Sequence, residues 1–409
     1  MDAATQICDI ENKTDEFSSL CLERAKLIGD WCIANQINDR FEPTYGEYVA
    51  NYHPTEKFFN GKNELMSGGM MTAMSVNFLF MLYDRTNDIR YFDAAIRCGE
   101  YLKSLQYLYS GKTELYGCVG EFSIHQLGPK AEHFCYRSTT VVGDAFVLLF
   151  RETQDQEYLD RAKLIADWFI KYALADEGWV VDNDKRPGVL DVRYYFQIAN
   201  ILFFYHLYKY DSDPRYLKVI KTMGDYYLNN FINEDGLSKM VLDEPAFEKH
   251  LGSDEFARRW WRMHVYNDDF SNIALMCAAR ILDDDRYFEP AQRFADWLLD
   301  EQNYDGSIGE PAVWVASATS TVLWQDMFLE TGEHKYHDAS AKALKHLMTL
   351  QELSSGNVRQ YGGVYGNNEV INAICARMCN YCPVALLKYE SCVVGPYLSV
   401  FDKDGKYYI

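Results

Sequence analysis

Five times along the chain the same short polar turn comes back. It reads "YDRTNDIRYFDAA" from Tyr83, "FRETQDQEYLDRA" from Phe150, "YKYDSDPRYLKVI" from Tyr208, "ILDDDRYFEPA" from Ile281 and "FLETGEHKYHDAS" from Phe328. Each separates two stretches whose apolar residues recur at helical spacing. In four of the turns an aspartate precedes a tyrosine by three residues, as in Asp88 and Tyr91, Asp155 and Tyr158, Asp213 and Tyr216, and Asp284 and Tyr287, and Glu333 with Tyr336 is a looser fifth. The acid suits a helix N-cap and the tyrosine ring suits the seam between two helices, so the element reads as structural. A chain so built is a string of helical hairpins, and hairpins at a fixed period stack into an array.

The two helices of each hairpin differ. Those that open a pair are apolar or small all round ("GGMMTAMSVNFLFML", "STTVVGDAFVLLF", "YFQIANILFFY"), as buried helices are, and those that close it are amphipathic ("RAKLIADWFIKYAL", "AQRFADWLLDEQ"). With a lone helix near residues 16 to 37 and a last one near 370 to 389, the count is six inner and six outer helices if first and last pair. The expected fold is all-α: a closed (α/α)6 toroid spanning 1–409 as one domain, with short strand-like, glycine-bearing loops at one mouth ("YGCVGEF", "DEGWVVD", "NEDGLSKM", "YDGSIGEP", "YGGVYGNN"). This alternation resembles the six-hairpin toroid superfamily of glycoside hydrolases, uronyl hydrolases, sugar epimerases and polysaccharide lyases. The resemblance is architectural and does not fix a function.

Composition excludes several classes. A formal charge of −20 repels phosphate backbones and anionic membranes, so neither nucleic acid nor membrane is expected as a partner. No apolar run approaches the roughly 18 residues that span a bilayer, and "MDAATQICDIENKTDEF" lacks the basic and apolar parts of an export signal. The eleven cysteines form no compact disulfide framework, which suits a reducing, cytoplasmic setting. "CARMCNYC" sets Cys375, Cys379 and Cys382 on one helical face, a stripe that fits buried thiols better than a zinc knuckle. No glycine motif cradles a phosphate, so no organic cofactor is expected, and the cysteine spacing gives no reason to expect a metal.

Turns from inner to outer helix are short, whereas the returns are long and rich in glycine, so a site would gather at the N-terminal ends of the inner helices. That mouth collects His125, His133 and Arg137 before the second inner helix, and Asp191 and Arg193 before the third. Arg259, Trp260, Trp261, Arg262, His264, Tyr266, Asp268 and Asp269 precede or open the fourth, and Glu310, Trp314 and Tyr365 come from the remaining loops. Tryptophans offer apolar faces to sugar rings, and arginines clamp carboxylates in two-pronged pairs, so the inventory suits a hydroxylated ring, uronates included. Each of these residues also has an ordinary structural use, in packing or in ion pairs.

The tandem Asp268–Asp269 in "HVYNDDFSNIALM" is the strongest carboxylate candidate. Glycoside cleavage uses two carboxyl groups, and a pair in the first turn of an inner helix would be held ionised by the helix dipole, as base or nucleophile. The acid would then come from another loop, with Glu310 or Asp191 as candidates. The alternative is that Asn267 or Asp268 caps the helix. "YNDD" resembles the adjacent aspartates of bacterial α-mannanases with this toroid, although "FSNIALM" departs from their tryptophan-rich continuation. "RRWWRMHVYNDD" is similar in ingredients to the unsaturated uronyl hydrolases, and "WW" to the sugar 2-epimerases, which move protons with histidines. Three readings follow: a glycoside hydrolase acting on an oligosaccharide, an epimerase or lyase using His/Tyr acid–base chemistry, and a non-catalytic sugar-binding or protein-interaction toroid.

Overall fold

The computed structural model describes residues 11–48, 51–52, 68–109, 114–120, 136–180, 195–242, 244–253, 258, 262, 264–266, 270–313, 315–366 and 374–394. In chain order its elements are α1 (Glu11–Asn35), β1 (Asn51–Tyr52), α2 (Gly68–Thr86), α3 (Ile89–Leu105), α4 (Tyr136–Thr153), α5 (Gln156–Trp168), α6 (Ile201–Tyr208), α7 (Pro214–Phe231), α8 (Glu244–Leu251), α9 (Ser271–Leu282), α10 (Phe288–Asp300), α11 (Ala316–Thr331), α12 (His334–Thr349), β2 (Ile374–Cys375) and α13 (Ala376–Val394). A 3-10 turn, Tyr195–Asn200, leads into α6.

The inner layer is α2, α4, α6, α9, α11 and α13, each packed on the next, with α13 returning to α2. Outside it stand α3, α5, α7, α10, α12 and α1. The first helix packs against the last, so the (α/α)6 ring expected from the repeat count closes. Burial follows the two patterns read from the sequence: every residue from Ala316 to Met327 of α11 is buried, whereas α7 buries one stripe running from Tyr216 to Phe231. Two boundaries differ from expectation. The last helix starts at Ala376 because β2 pairs antiparallel with β1 just before it, and the third return loop carries the extra helix α8.

The recurring turn explains the hairpins in atomic terms. Asp88, Asp155, Asp213 and Asp284 each accept a hydrogen bond from the backbone N–H two residues on, capping the outer helix, while Glu333 makes no such cap. The tyrosines then reach back to an acid. Tyr91 donates to Asp30, Tyr158 to Glu100, Tyr287 to Asp225 and Tyr336 to Asp296, each acid lying on the preceding outer helix. Tyr216 donates instead to Asp211 of its own turn.

The opposite loops lock the outer helices to one another. Gly46, Gly117, Gly178, Gly236, Gly306 and Gly362 all have positive φ, and at five of them an added Cβ would fall within 2.6 Å of a backbone carbonyl oxygen on the following outer helix. At Gly236 the clash is with the Arg293 side chain. Gly362 abuts Leu27 and Gln351 donates to the Arg24 carbonyl, so the sixth loop grips α1 as the other five grip their successors. Cys375, Cys379 and Cys382 are sealed in the core, where burial raises each thiol pKa, that of Cys375 to about 11. Among the described residues no helix is long and apolar enough to cross a membrane.

Candidate functional site

The six inner helices run parallel, and a cavity opens among them toward their N-terminal ends. Its void, mouth included, is about 640 Å³. Met70, Thr140, Phe270 and Asn380, at or near the starts of four inner helices, surround it, and Leu148, Leu202 and Val384 lie deeper. The end chosen from loop lengths is thus the end that holds a cavity. Nearer the C-terminal ends, ion pairs bridge the inner helices. Lys388 Nζ lies 2.7 Å from both carboxylate oxygens of Asp326, with both side chains sealed, and Arg85 pairs with Glu390.

Most of the lining is apolar or aromatic. Phe270 meets Tyr381 edge to face, with ring centroids 5.1 Å apart. Two of the polar groups are already committed: Thr140 Oγ1 donates to Asn200 Oδ1 at 2.5 Å, and Asn380 accepts from Ser75 and donates to the Met71 carbonyl. Among the described lining residues the charged group is Asp144, on α4. Its Oδ1 stands 2.5 Å from Nδ1 of His206 on α6. Burial pushes the His206 imidazole below its ordinary pKa, outweighing the pull of the Asp144 carboxylate. A neutral imidazole can donate Nδ1–H to the Asp144 carboxylate.

Of the residues picked from sequence, Asp268, Asp269, Asp191, Arg193, Arg259, Trp260, Trp261, Trp314 and His133 lie outside the described residues, as do Asn267 and His125. Arg137 falls in the first turn of α4. His264 is buried, at 3% exposure. Tyr266 stacks on Trp297 of α10 and donates to Glu301 Oε2 at 3.1 Å; burial and that carboxylate raise its phenol pKa. Arg262 donates to the Pro311 carbonyl at 2.7 Å, and Gly309 packs on the Tyr266 ring, so the 262–266 segment and the loop carrying the exposed Glu310 meet on one sector of the rim. Tyr365 is half-buried and donates to Glu352 at 2.9 Å; burial pushes its phenol up to about 12.

Helix α9 begins at Ser271, and its cap position belongs to Phe270 in the left-handed region at φ 68°. Phe270, the next residue after Asp268 and Asp269, lines the cavity.

Asp144 and His206 were missed because each sits alone in a helix read as apolar all round. The available signal was that isolation: an acid amid "VVGDAFVLLF" needs a buried partner, and "FFYHLYK" supplies one.

No protein-family profile and no curated sequence matches the chain. Solved structures do. A sugar epimerase from a ruminal bacterium superposes with a TM-score of 0.68 at 15% identity, over 92% of this chain and 99% of that one. An unsaturated glucuronyl hydrolase specific for heparin gives 0.62 at 16% identity, over 93% and 98%. The α-1,6-mannanase GH76A from Salegentibacter sp. HEL1_6 gives 0.61 at 13% identity, over 91% and 99%, and a variant of it with two consecutive aspartates changed to asparagine is inactive. At these identities the likeness is one of fold, and the fold is the (α/α)6 toroid.

Proposed function

We propose that the chain is a carbohydrate-active enzyme, a glycoside hydrolase that takes a short oligosaccharide or a chain end into the mouth of the toroid. The observation that carries this reading is the central cavity, open at the N-terminal ends of the inner helices and bordered by Phe270, the residue that follows Asp268 and Asp269. The ion pairs Lys388–Asp326 and Arg85–Glu390 bridge inner helices nearer their C-terminal ends, which favours a terminal sugar over a chain that threads through. Inner-helix N-termini around the mouth favour anionic groups there, so uronates fit as well as neutral sugars. Asp268 and Asp269 supply carboxylate chemistry, with Glu310 or Asp191 as partner. Trp260, Trp261 and Trp314 serve as platforms, and Arg193, Arg259 and Arg262 bind acidic groups.

The test is a turnover screen of neutral oligosaccharides, unsaturated uronyl disaccharides and 2-keto or amino sugars, with Asp268→Asn and Asp269→Asn alongside. The expected result is hydrolysis of one class, lowered about 100-fold or more by each substitution while binding persists. Interconversion without hydrolysis would assign the epimerase chemistry instead. Sugar binding without turnover of any class would leave a binding toroid.

A further inference from the structure

Buried acid–base pairs cross the inner ring, and two of them differ in one respect. Lys388 and Asp326 are sealed on every side, with side-chain exposures of 2% and 0%. In the other pair His206 is equally sealed at 1%, but the Asp144 side chain is 21% exposed and lines the cavity. Among the described residues Asp144 hydrogen-bonds through Oδ1 to His206 alone, which leaves Oδ2 to the cavity. An acid whose only task was to satisfy a core histidine would be enclosed with it, as Asp326 is with Lys388.

Asp144 sits in the middle of α4, flanked in the lining by Val141, Ala145 and Leu148, far from either end of the helix and its dipole. The groups that face the pair are few. Lys209, just past the end of α6, and Arg151, further along α4, oppose a charge on His206, and the Cys277 thiol of α9 lies within the field of Asp144. A neutral imidazole donating to Oδ1 fixes the orientation of the carboxylate.

We propose that Asp144 is the catalytic base supplied by the inner ring, with His206 as its positioning residue; this rests on the carbohydrate reading above. In hydrolysis Asp144 Oδ2 takes a proton from water, and the water oxygen forms the new bond to the anomeric carbon. The pair of the breaking carbon–oxygen bond passes to the leaving oxygen, which takes a proton from an acid on the mouth loops, Asp268, Asp269 or Glu310. The proton gained by Asp144 then returns through solvent to that acid.

The test uses the full chain and the substrate class found by the screen. Asp144→Asn is isosteric and keeps an acceptor for His206. It should lower kcat about 100-fold or more while calorimetric affinity for the sugar stays within about threefold and thermal unfolding is unchanged. Asp144→Ala should regain turnover on addition of formate, a small external base. His206→Leu should move the acidic limb of kcat to higher pH, because a carboxylate that loses its donor ionises less readily, and His206→Asn should restore the limb. Asp144→Asn retaining kcat within about threefold, or losing affinity and turnover together, overturns the role of Asp144 and leaves the hydrolase reading standing. A wild-type chain that neither binds nor converts any sugar of the screen overturns both.

Discussion

Lys388 and Asp326 show how much a single buried pair can decide. Each carboxylate oxygen lies 2.7 Å from the ammonium, and neither side chain reaches solvent. Taking two charges out of water is costly, and good geometry recovers that cost only while both partners are present. Asp326→Ala should therefore destabilise the protein by about 3 to 5 kcal/mol, because it strands a buried ammonium. The double variant Asp326→Leu with Lys388→Met should recover most of the loss, since two apolar side chains of similar length need no partner. Urea unfolding of the three proteins measures this; a cost below about 1 kcal/mol for Asp326→Ala would mean that Lys388 finds water or another acceptor. Tyr287 and Tyr336, by contrast, bond to Asp225 and Asp296 on half-exposed outer-helix surface, where solvent shares the work and each pair carries less.

At the scale of elements, the return loops set the angle between one hairpin and the next. Gly362 has φ +90°, and an added Cβ would stand 2.2 Å from the Leu27 carbonyl oxygen, so Gly362→Ala meets strain and collision together. Gly252 has φ +54° with nothing within 4 Å of an added Cβ, so Gly252→Ala meets strain alone. Gly252→Ala should cost about 1 kcal/mol and Gly362→Ala about 3 kcal/mol or more, read from thermal unfolding. Equal costs would mean that the loop does not grip α1. Such loops are also why the fold was legible. Four capping aspartates, five seam tyrosines and five glycine stretches mark local geometry that a sequence states directly, and they fix the number of hairpins and hence the ring. The sixth glycine, Gly46 in "YGEY", follows the lone first helix and was read only once that helix stood in place beside α3. The site was less legible, because Asp144 and His206 lie 62 residues apart and meet only when α4 and α6 become neighbours in the ring. Their partnership is a product of closure, and no periodicity along one helix encodes it.

Across the whole molecule, acid should loosen the ring in two stages. Burial holds His337 down to about 4 and also lowers His206 and His346. In the unfolded chain an imidazole binds its proton near pH 6.5, give or take about a unit. A group whose pKa is depressed by folding stabilises the fold fully above the unfolded value, and that stabilisation is lost as pH falls toward the folded value. For His337 the window runs from about 6.5 down to about 4, worth about 3 kcal/mol at most. The second stage comes lower. Hydrogen bonds from Arg90, Arg215 and Arg286 hold Asp88, Asp213 and Asp284 below the usual carboxylate range, so their share persists until the pH drops beneath that range. A formal charge of −20 works in the opposite direction, since protonation relieves repulsion among the acids, and only a variant separates the two effects. His337 stacks on Tyr389 with centroids 4.5 Å apart, and phenylalanine can keep that stacking without a site to protonate. His337→Phe should match the wild type near pH 7.5 and lose less of its thermal midpoint between pH 6.5 and pH 4, both values bracketing the window about the ordinary imidazole pKa. Parallel pH profiles for the two proteins would mean that the buried imidazole at the α12–α13 seam does not couple protonation to the ring, and that the carboxylates alone set its acid limit.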